Sequence, residues 1–469
     1  MSDFDIVVLG GGTGNIVAAA AAEAGKEVAL VERGRLGGTC LNRGCNPSKK
    51  LIHRANVAET VRGADSLGIE ASVEDIDFER IVDDVRTTIR EVAEAKAERA
   101  RESENVTFYQ CEGRFVDERT VEIDTDERSD GGGPGGDRLT AETVVLAGGS
   151  RPMIPDSIDG TDETEYLTSD DALWLTERPD RLVIVGGGYI AAELSHFFSQ
   201  MGTEVVIVGR RDVLVDREDR AVAERLTEAY RRDHDLRLGY SATAIEEVDG
   251  RKQVTAEDED SEEIRVSGDR LLLATGRRPN SDTWNVSAAG IETTEAGFVE
   301  TDEYLRTSAE GVYAIGDIAG NYMFKHSGDT EAKYVVENAV LGGESPVEYP
   351  GMAHAVFGSP QVASLGRREE ELEDDAYEVG TFAYDETALG SALDHKDGFA
   401  KVLVAPDGEV LGCHVVGPEA STLVHEVSTA VAAGADATTI AETIHVHPAL
   451  SEVVQGAFRD VCDVAPTGI

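Results

Sequence analysis

The sequence is poor in basic residues: 43 Lys and Arg stand against 91 Asp and Glu, giving a formal charge of −48. Lysine is absent between Lys96 and Lys252. A chain with so little positive charge repels nucleic acid, which excludes functions built on a basic patch. Its compact state also repels itself at low salt, an effect that fades at about 1 M salt, where the Debye length is about 3 Å. Long apolar runs are missing too, and nothing approaches the roughly 18 uninterrupted residues of a membrane helix. The acidic start Met1-Ser2-Asp3-Phe4-Asp5 has neither the basic stretch nor the small-residue cleavage site of a secretory signal, so a cytoplasmic protein is expected. Cysteine is scarce, and five in 469 residues do not make a disulfide framework. Cys111, Cys413 and Cys462 are isolated and read as buried or incidental thiols, whereas Cys40 and Cys45 form a pair.

What is present is enough apolar material (41%) for ordinary cores, in a chain long enough for two to four domains. Ile6 to Leu9 reads as a buried strand, Gly10-Gly11-Gly12-Thr13-Gly14 as a turn, Ile16 to Ala24 as a helix, and Val28 to Val31 as a second strand ending at Glu32. Gly10, Gly12, Gly14 and Asn15 occupy the places of a pyrophosphate-binding turn, where backbone amides and the helix dipole attract anions. Glu32, 22 residues after Gly10, stands where a carboxylate meets an adenosine ribose. Asn15 replaces a glycine of the fingerprint, which predicts slightly looser helix–strand packing.

The order recurs from Leu182, with Gly186-x-Gly188-x-x-Ala191 as the second turn. Its second strand ends not in an acid but in Gly209-Arg210-Arg211, two guanidiniums suited to clamp a ribose 2′-phosphate. NADPH is therefore expected over NADH. Two βαβ openings predict two dinucleotide-binding domains. Strands Val144 to Leu146 and Leu271 to Leu273 run into Gly148-Gly149 and Gly276-Arg277, which read as exits from these domains. Residues 78–102 read as a long charged helical hairpin. Asp124 to Arg138, glycine-rich and without a large apolar residue to bury, reads as a flexible hairpin tip. Strand patterns followed by helices after residue 347 suggest a separate α+β domain. The fold class expected is α/β, with two doubly wound dinucleotide-binding domains and a C-terminal α+β domain. The boundaries expected are 1–150, 151–276, 277–346 and 347–469.

The cysteine pair lies in Gly37-Gly38-Thr39-Cys40-Leu41-Asn42-Arg43-Gly44-Cys45-Asn46-Pro47-Ser48-Lys49. Five residues of helix rise about 7.5 Å, beyond the roughly 6.8 Å that a disulfide spans between Cα atoms. A Cys40–Cys45 bridge therefore needs distorted backbone, which Gly44 and Pro47 would permit. At a helix N-terminus its thiolate pKa should be lowered. Two unpaired thiols are the alternative; a metal site lacks a second cysteine pair to complete it. Thiol exchange also needs an acid–base group, and His447 with Glu452 is the candidate pair. His445 and His447 on one strand face could bind a metal only with further ligands, and no metal is expected.

These residues carry a resemblance. Gly37 to Lys49, Ala314-Ile315-Gly316-Asp317 and His447-Pro448 to Glu452 resemble, over essentially the whole chain, the class I flavoprotein disulfide reductases. That family includes glutathione reductase, mycothione reductase, dihydrolipoamide dehydrogenase and mercuric reductase. The resemblance implies FAD in the first domain, with Glu32 on its adenosine ribose, Asp317 on its ribitol, and Gly38, Thr39 and Gly149 close by. It implies Lys49 near the flavin and paired with Glu193, Cys45 as the thiol facing flavin, and Cys40 as the thiol attacking substrate. It further implies a homodimer in which His447 and Glu452 come from the other subunit. Asn46 departs from the family, where that position is usually apolar.

Tyr189 and Arg210-Arg211 look like glutathione reductase, the tyrosine as a gate over the nicotinamide pocket. Ile190 to Ser199 and Lys325-His326 look most like mycothione reductase. The acidic composition is similar to that of halophilic archaea, whose small thiol is γ-glutamylcysteine. The expected substrate is thus bis-γ-glutamylcystine, with Arg43, His53 and Arg54 as possible anion contacts. An NAD-linked dihydrolipoamide dehydrogenase of a 2-oxoacid complex is the alternative.

Overall fold

The computed structural model describes residues 3–124, 137–393 and 397–465. The chain divides into two compact units: residues 1–50, 80–153 and 276–349 in the first, and 51–79, 154–275 and 350–469 in the second.

The first unit is built on a parallel sheet of strands Val106–Tyr109, Val28–Val31, Phe4–Leu9, Asp137–Leu146 and Val312–Ala314, in that order. Ile6 to Leu9 and Val28 to Val31 are at most 2% exposed. Such strands are covered on both faces, which is why they read as unbroken apolar runs rather than alternating ones. Each such side chain contributes about 1.5–3 kcal/mol on burial. The hairpin Gly113–Asp117 and Thr120–Ile123 extends the sheet antiparallel, with Ile123 opposite Asp137. The glycine-rich connection expected as a flexible tip lies, at residues 125–136, outside the described residues.

Residues 78–102 form one helix, Phe78–Glu102, and not a hairpin. The segment holds no Gly or Pro to turn the chain. Its buried Val82, Val85, Ile89, Ala93, Ala97 and Ala100 recur every three or four residues, a single apolar stripe.

In the second unit a four-stranded parallel sheet, Asp235–Leu238, Glu204–Gly209, Arg181–Val185 and Arg270–Leu273, repeats the first architecture. A three-stranded antiparallel sheet over residues 241–268 accompanies it. The C-terminal part is a five-stranded antiparallel sheet in the order Ala353–Val356, Val362–Gly366, Val410–Val416, Phe399–Val404 and Glu378–Ala383. Helices Ala420–Ala432, Ala437–Glu442 and Glu452–Val461 share one apolar core with it. No helix among the described residues is long and apolar enough to cross a membrane.

Candidate active site

In the first unit the glycine turn is forced by close approach. Gly10 has φ +103°, and a Cβ there would lie 2.2 Å from the Ala147 carbonyl oxygen. A Cβ on Gly38 would lie 2.6 Å from the Cα of Gly12, so the turn and the start of the cysteine segment touch backbone to backbone. The carboxylate of Glu32 accepts from the amides of Gly11 at 2.8 Å and Gly34 at 2.7 Å, which fixes it at the end of its strand. Asn15 follows the glycine that makes the close approach to the strand. Gly14 makes the close contact with Val8 and Ala147, and Asn15 is only half-buried on the helix behind it.

Cys40 sits in the short helix Gly38–Arg43, and Cys45 opens the helix Cys45–Gly63. The break between them is Gly44, where a Cβ would lie 2.9 Å from the Thr39 carbonyl oxygen. Pro47 plays no part in the break; it falls in the first turn of the second helix, where a missing N–H costs nothing. The two cysteines stand as thiols joined by a hydrogen bond. For Cys40 the expected acidification is reversed. The Cys45 thiol, then burial, hold its pKa well above the usual thiol range, against the pull of the Lys325 ammonium. Asn46 acquires a purpose, because its carboxamide oxygen accepts from the Cys40 sulfur at 3.8 Å. Lys49 donates to the Ser48 hydroxyl at 3.4 Å.

Asp317 lies in the tight turn Gly316–Ile318 and accepts from the hydroxyl of Ser150. Arg277 stands with these two residues. Its Nε donates to the Ser150 hydroxyl at 2.8 Å and lies 4.0 Å from Asp317. Gly149 and Gly276, with φ +65° and +125°, flank the same place. Two residues here carried no sequence signal. Ser150 bridges Arg277 and Asp317. Glu331, fully buried, accepts from the Gly316 amide and the Tyr349 hydroxyl at 2.6 Å each, and burial raises its pKa.

In the second unit the turn is a copy of the first. Gly186 has φ +127°, and its Cβ would meet the Ala274 carbonyl oxygen at 2.2 Å. Gly188 precedes the helix Tyr189–Gln200, in which Ala191 is fully buried and Glu193 accepts from the Phe357 amide at 3.1 Å. Arg210 and Arg211 are exposed directly after strand Glu204–Gly209, and Arg211 pairs with Asp216 at 3.3 Å.

His447 hydrogen bonds through Nδ1 to Glu452 at 2.9 Å. A carboxylate partner places the proton on Nδ1 and leaves Nε2 for proton transfer. Burial works against ionisation of Glu452, but the Ala449 amide and His447 more than offset it and hold its pKa below the usual range. His445 faces elsewhere, toward Glu426 at 3.2 Å and the Thr443 carbonyl at 3.0 Å. Among the described residues no group of three or more metal-ligating side chains stands together. Cys413 is buried and its thiol is pushed up to about 12, while burial pushes half-buried Cys111 up to about 11. Of the suggested anion contacts, Arg43 and His53 are exposed and Arg54 is half-buried.

The chain belongs to the pyridine nucleotide-disulphide oxidoreductases: it matches that family over residues 4–338 and the family's dimerisation domain over residues 352–458. It is therefore an enzyme of a flavoprotein family that uses FAD and a pyridine nucleotide, and its dimerisation domain indicates a homodimer. It is 34% identical over 477 residues to dihydrolipoyl dehydrogenase 3 of Haloarcula marismortui, covering 98% of this chain and 97% of that one. It is also 34% identical over 474 residues to mycothione reductase of Mycobacterium tuberculosis, covering 98% and 99%. Among solved structures, the Cu(II) complex of the HOCl-induced flavoprotein disulfide reductase RclA from Escherichia coli has the same fold. Its TM-score is 0.86 at 24% identity, over 98% of this chain and 99% of that one.

Proposed function

We propose that the protein is an NADPH-dependent, FAD-containing reductase of a low-molecular-weight disulfide, working through Cys40 and Cys45. The observation that carries this reading is the hydrogen-bonded thiol pair at the Gly44 break, two residues beyond the Gly12–Gly38 backbone contact. The residues present fit FAD. Gly10, Gly12 and Gly14 leave room for a pyrophosphate, Glu32 would take the adenosine ribose, and Asp317, with Gly38, Thr39 and Gly149 nearby, the ribitol. When bound, FAD supplies the two-electron relay between nicotinamide and cysteines, with Lys49 beside it.

The Cys40 thiolate attacks one sulfur of the substrate, forming a mixed disulfide and releasing the first thiolate. Cys45 then attacks the Cys40 sulfur, which expels the second thiolate and leaves a Cys40–Cys45 disulfide. The substrate gains two electrons and the pair loses two. His447, held by Glu452, takes the proton of each attacking cysteine thiol on Nε2 and passes it to the departing thiolate, so the two cysteine protons end on the two product thiols. Donation of this pair by the second subunit fits its surroundings. His447 is 69% exposed on the single chain, and neighbouring Ile444 and Val446 are 96% and 75% exposed, apolar surface suited to a second copy.

NADPH is preferred because Arg210 and Arg211 stand where a ribose-binding acid would select NADH. For substrate, bis-γ-glutamylcystine fits the acidic composition, since molar salt would screen the repulsion between an anionic disulfide and this surface. The second reading, an NAD-linked dihydrolipoamide dehydrogenase, draws support from relatives of that name at 34–35% identity in Haloarcula, Halobacterium and Haloferax. Steady-state kinetics at molar salt decide between them, with NADPH and NADH against bis-γ-glutamylcystine, mycothione, glutathione disulfide and lipoamide. NADH with lipoamide as the best pair would replace the first reading by the second. No nicotinamide oxidation with any disulfide would refute both.

A further inference from the structure

Glu218 has no place in the scheme above, yet it is among the most deeply placed carboxylates of the second unit, with its side chain at 0% exposure. Its carboxylate is paired with His354. His354 Nε2 donates to one oxygen at 2.8 Å, the Ser364 hydroxyl donates to the other at 2.6 Å, and the Tyr189 hydroxyl donates as well. Burial pushes its carboxyl up, but these three donors more than offset it and hold it below the usual range. A buried carboxylate is costly unless each oxygen is satisfied, and an apolar residue would fill such a place more cheaply. What Glu218 provides is direction for its donors.

Two of those donors belong to the C-terminal sheet, on strands Ala353–Val356 and Val362–Gly366. The third, Tyr189, is the first residue of the helix that follows the Gly186–Gly188 turn. Its ring stacks on the imidazole of His354, with centroids 6.1 Å apart and planes inclined by 30°. The ring is thus pinned on its face by His354 and at its tip by Glu218. The loop carrying Glu218 is also fastened to the turn itself. The Val215 amide donates to the Gly187 carbonyl at 2.6 Å, and the Glu218 amide to the Val215 carbonyl at 2.8 Å. Val215 holds φ +47°, a conformation that a β-branched residue keeps only where its surroundings impose it.

We propose that Glu218 is a positioning residue for the nicotinamide cosubstrate: it fixes the Tyr189 ring at the mouth of the Gly186–Gly188 turn and ties that subsite to the C-terminal sheet through His354 and Ser364. The proposal rests on the reading that this turn takes NADPH. Because Glu218 acts only through Tyr189, loss of either end of their hydrogen bond has the same effect.

The test compares four holoenzymes at molar salt: the natural protein, Tyr189→Phe, Glu218→Gln and the double variant. For each, the Kd of NADP+ is titrated, and KM for NADPH, KM for the disulfide and kcat are measured. Both single variants should weaken NADP+ and raise KM for NADPH about 10-fold, the scale of one hydrogen bond to a charged group. KM for the disulfide should not move, and the double variant should be no worse than either single one. A merely structural role would lower kcat by loss of folded enzyme and leave the nucleotide constants alone. Should Glu218→Gln fail to fold, Tyr189→Phe alone decides, since it removes one hydroxyl and nothing else. Equal NADP+ affinity in Tyr189→Phe and the natural protein, additive effects in the double variant, or no NADP+ binding at all would overturn the proposal. Absence of disulfide turnover with these nucleotide effects intact would refute the proposed reaction and leave Glu218 in its role.

Discussion

Replacing Arg210 by Ala should convert the nucleotide preference more than replacing Arg211. Both follow strand Glu204–Gly209, where a ribose 2′-phosphate would arrive, but Arg211 is already paired with Asp216 at 3.3 Å. A charge-assisted hydrogen bond to phosphate contributes about 1.5–3 kcal/mol, roughly a factor of 10–150. Exposure and molar salt bring the effective value to the low end. Arg211 must in addition give up an exposed ion pair worth about 0.2–1 kcal/mol. Arg210→Ala should therefore lower kcat/KM for NADPH about 10-fold and Arg211→Ala about 3-fold, with NADH changed less than about 2-fold in both. The assay is initial-rate nicotinamide oxidation with the best disulfide at two salt concentrations. The preference should shrink as salt rises, because the Debye length falls from about 10 Å at 0.1 M to about 3 Å at 1 M. An unchanged NADPH/NADH ratio in Arg210→Ala, or equal losses with both nucleotides, would refute the reasoning.

Cys40→Ser should abolish disulfide turnover while NADPH still bleaches the flavin in anaerobic spectra; surviving turnover would remove Cys40 from its role. Gly10→Ala and Gly186→Ala each drive a methyl to 2.2 Å from a carbonyl oxygen, so the first should purify without flavin colour and the second keep flavin yet fail to be reduced by NADPH. Lys401, 6% exposed, donates to both oxygens of fully buried Asp219 at 2.8 and 2.9 Å, so Lys401→Met should destabilise the protein by about 3–5 kcal/mol in urea unfolding, at low and high salt alike. His445 has its pKa raised, first by Glu426, so its contribution to stability is complete below about pH 6.5 and is lost as pH rises through the higher folded value. The stability gap between the natural protein and His445→Gln should accordingly narrow above neutral pH; a gap that widens would reverse the assignment.

Much of the fold was legible because it follows from local rules. Unbroken apolar strands such as Ile6 to Leu9, punctuated by Gly10 and Gly186, announce parallel sheets with nucleotide turns, since only backbone can pass so close to another carbonyl. The hairpin expected at residues 78–102 failed for an equally local reason: one continuous apolar stripe and no breaker make one helix.

The cysteine spacing, the two glycine turns, Glu32 and the His447–Glu452 pair were legible in the sequence alone, because each falls in a pattern of residue types at fixed spacing. Tertiary structure decided the rest. Arg277 meets Ser150 and Asp317 across 127 and 40 positions of chain, and Glu218 meets His354 and Ser364 across 136 and 146. The rise in the Cys40 pKa likewise comes from its surroundings, the Cys45 thiol and burial, more than from the helix on which it sits. Such contacts leave no periodicity to read, because what selects them is the cost of leaving a buried polar group unpaired, and the partner that meets that need is chosen only when the chain closes.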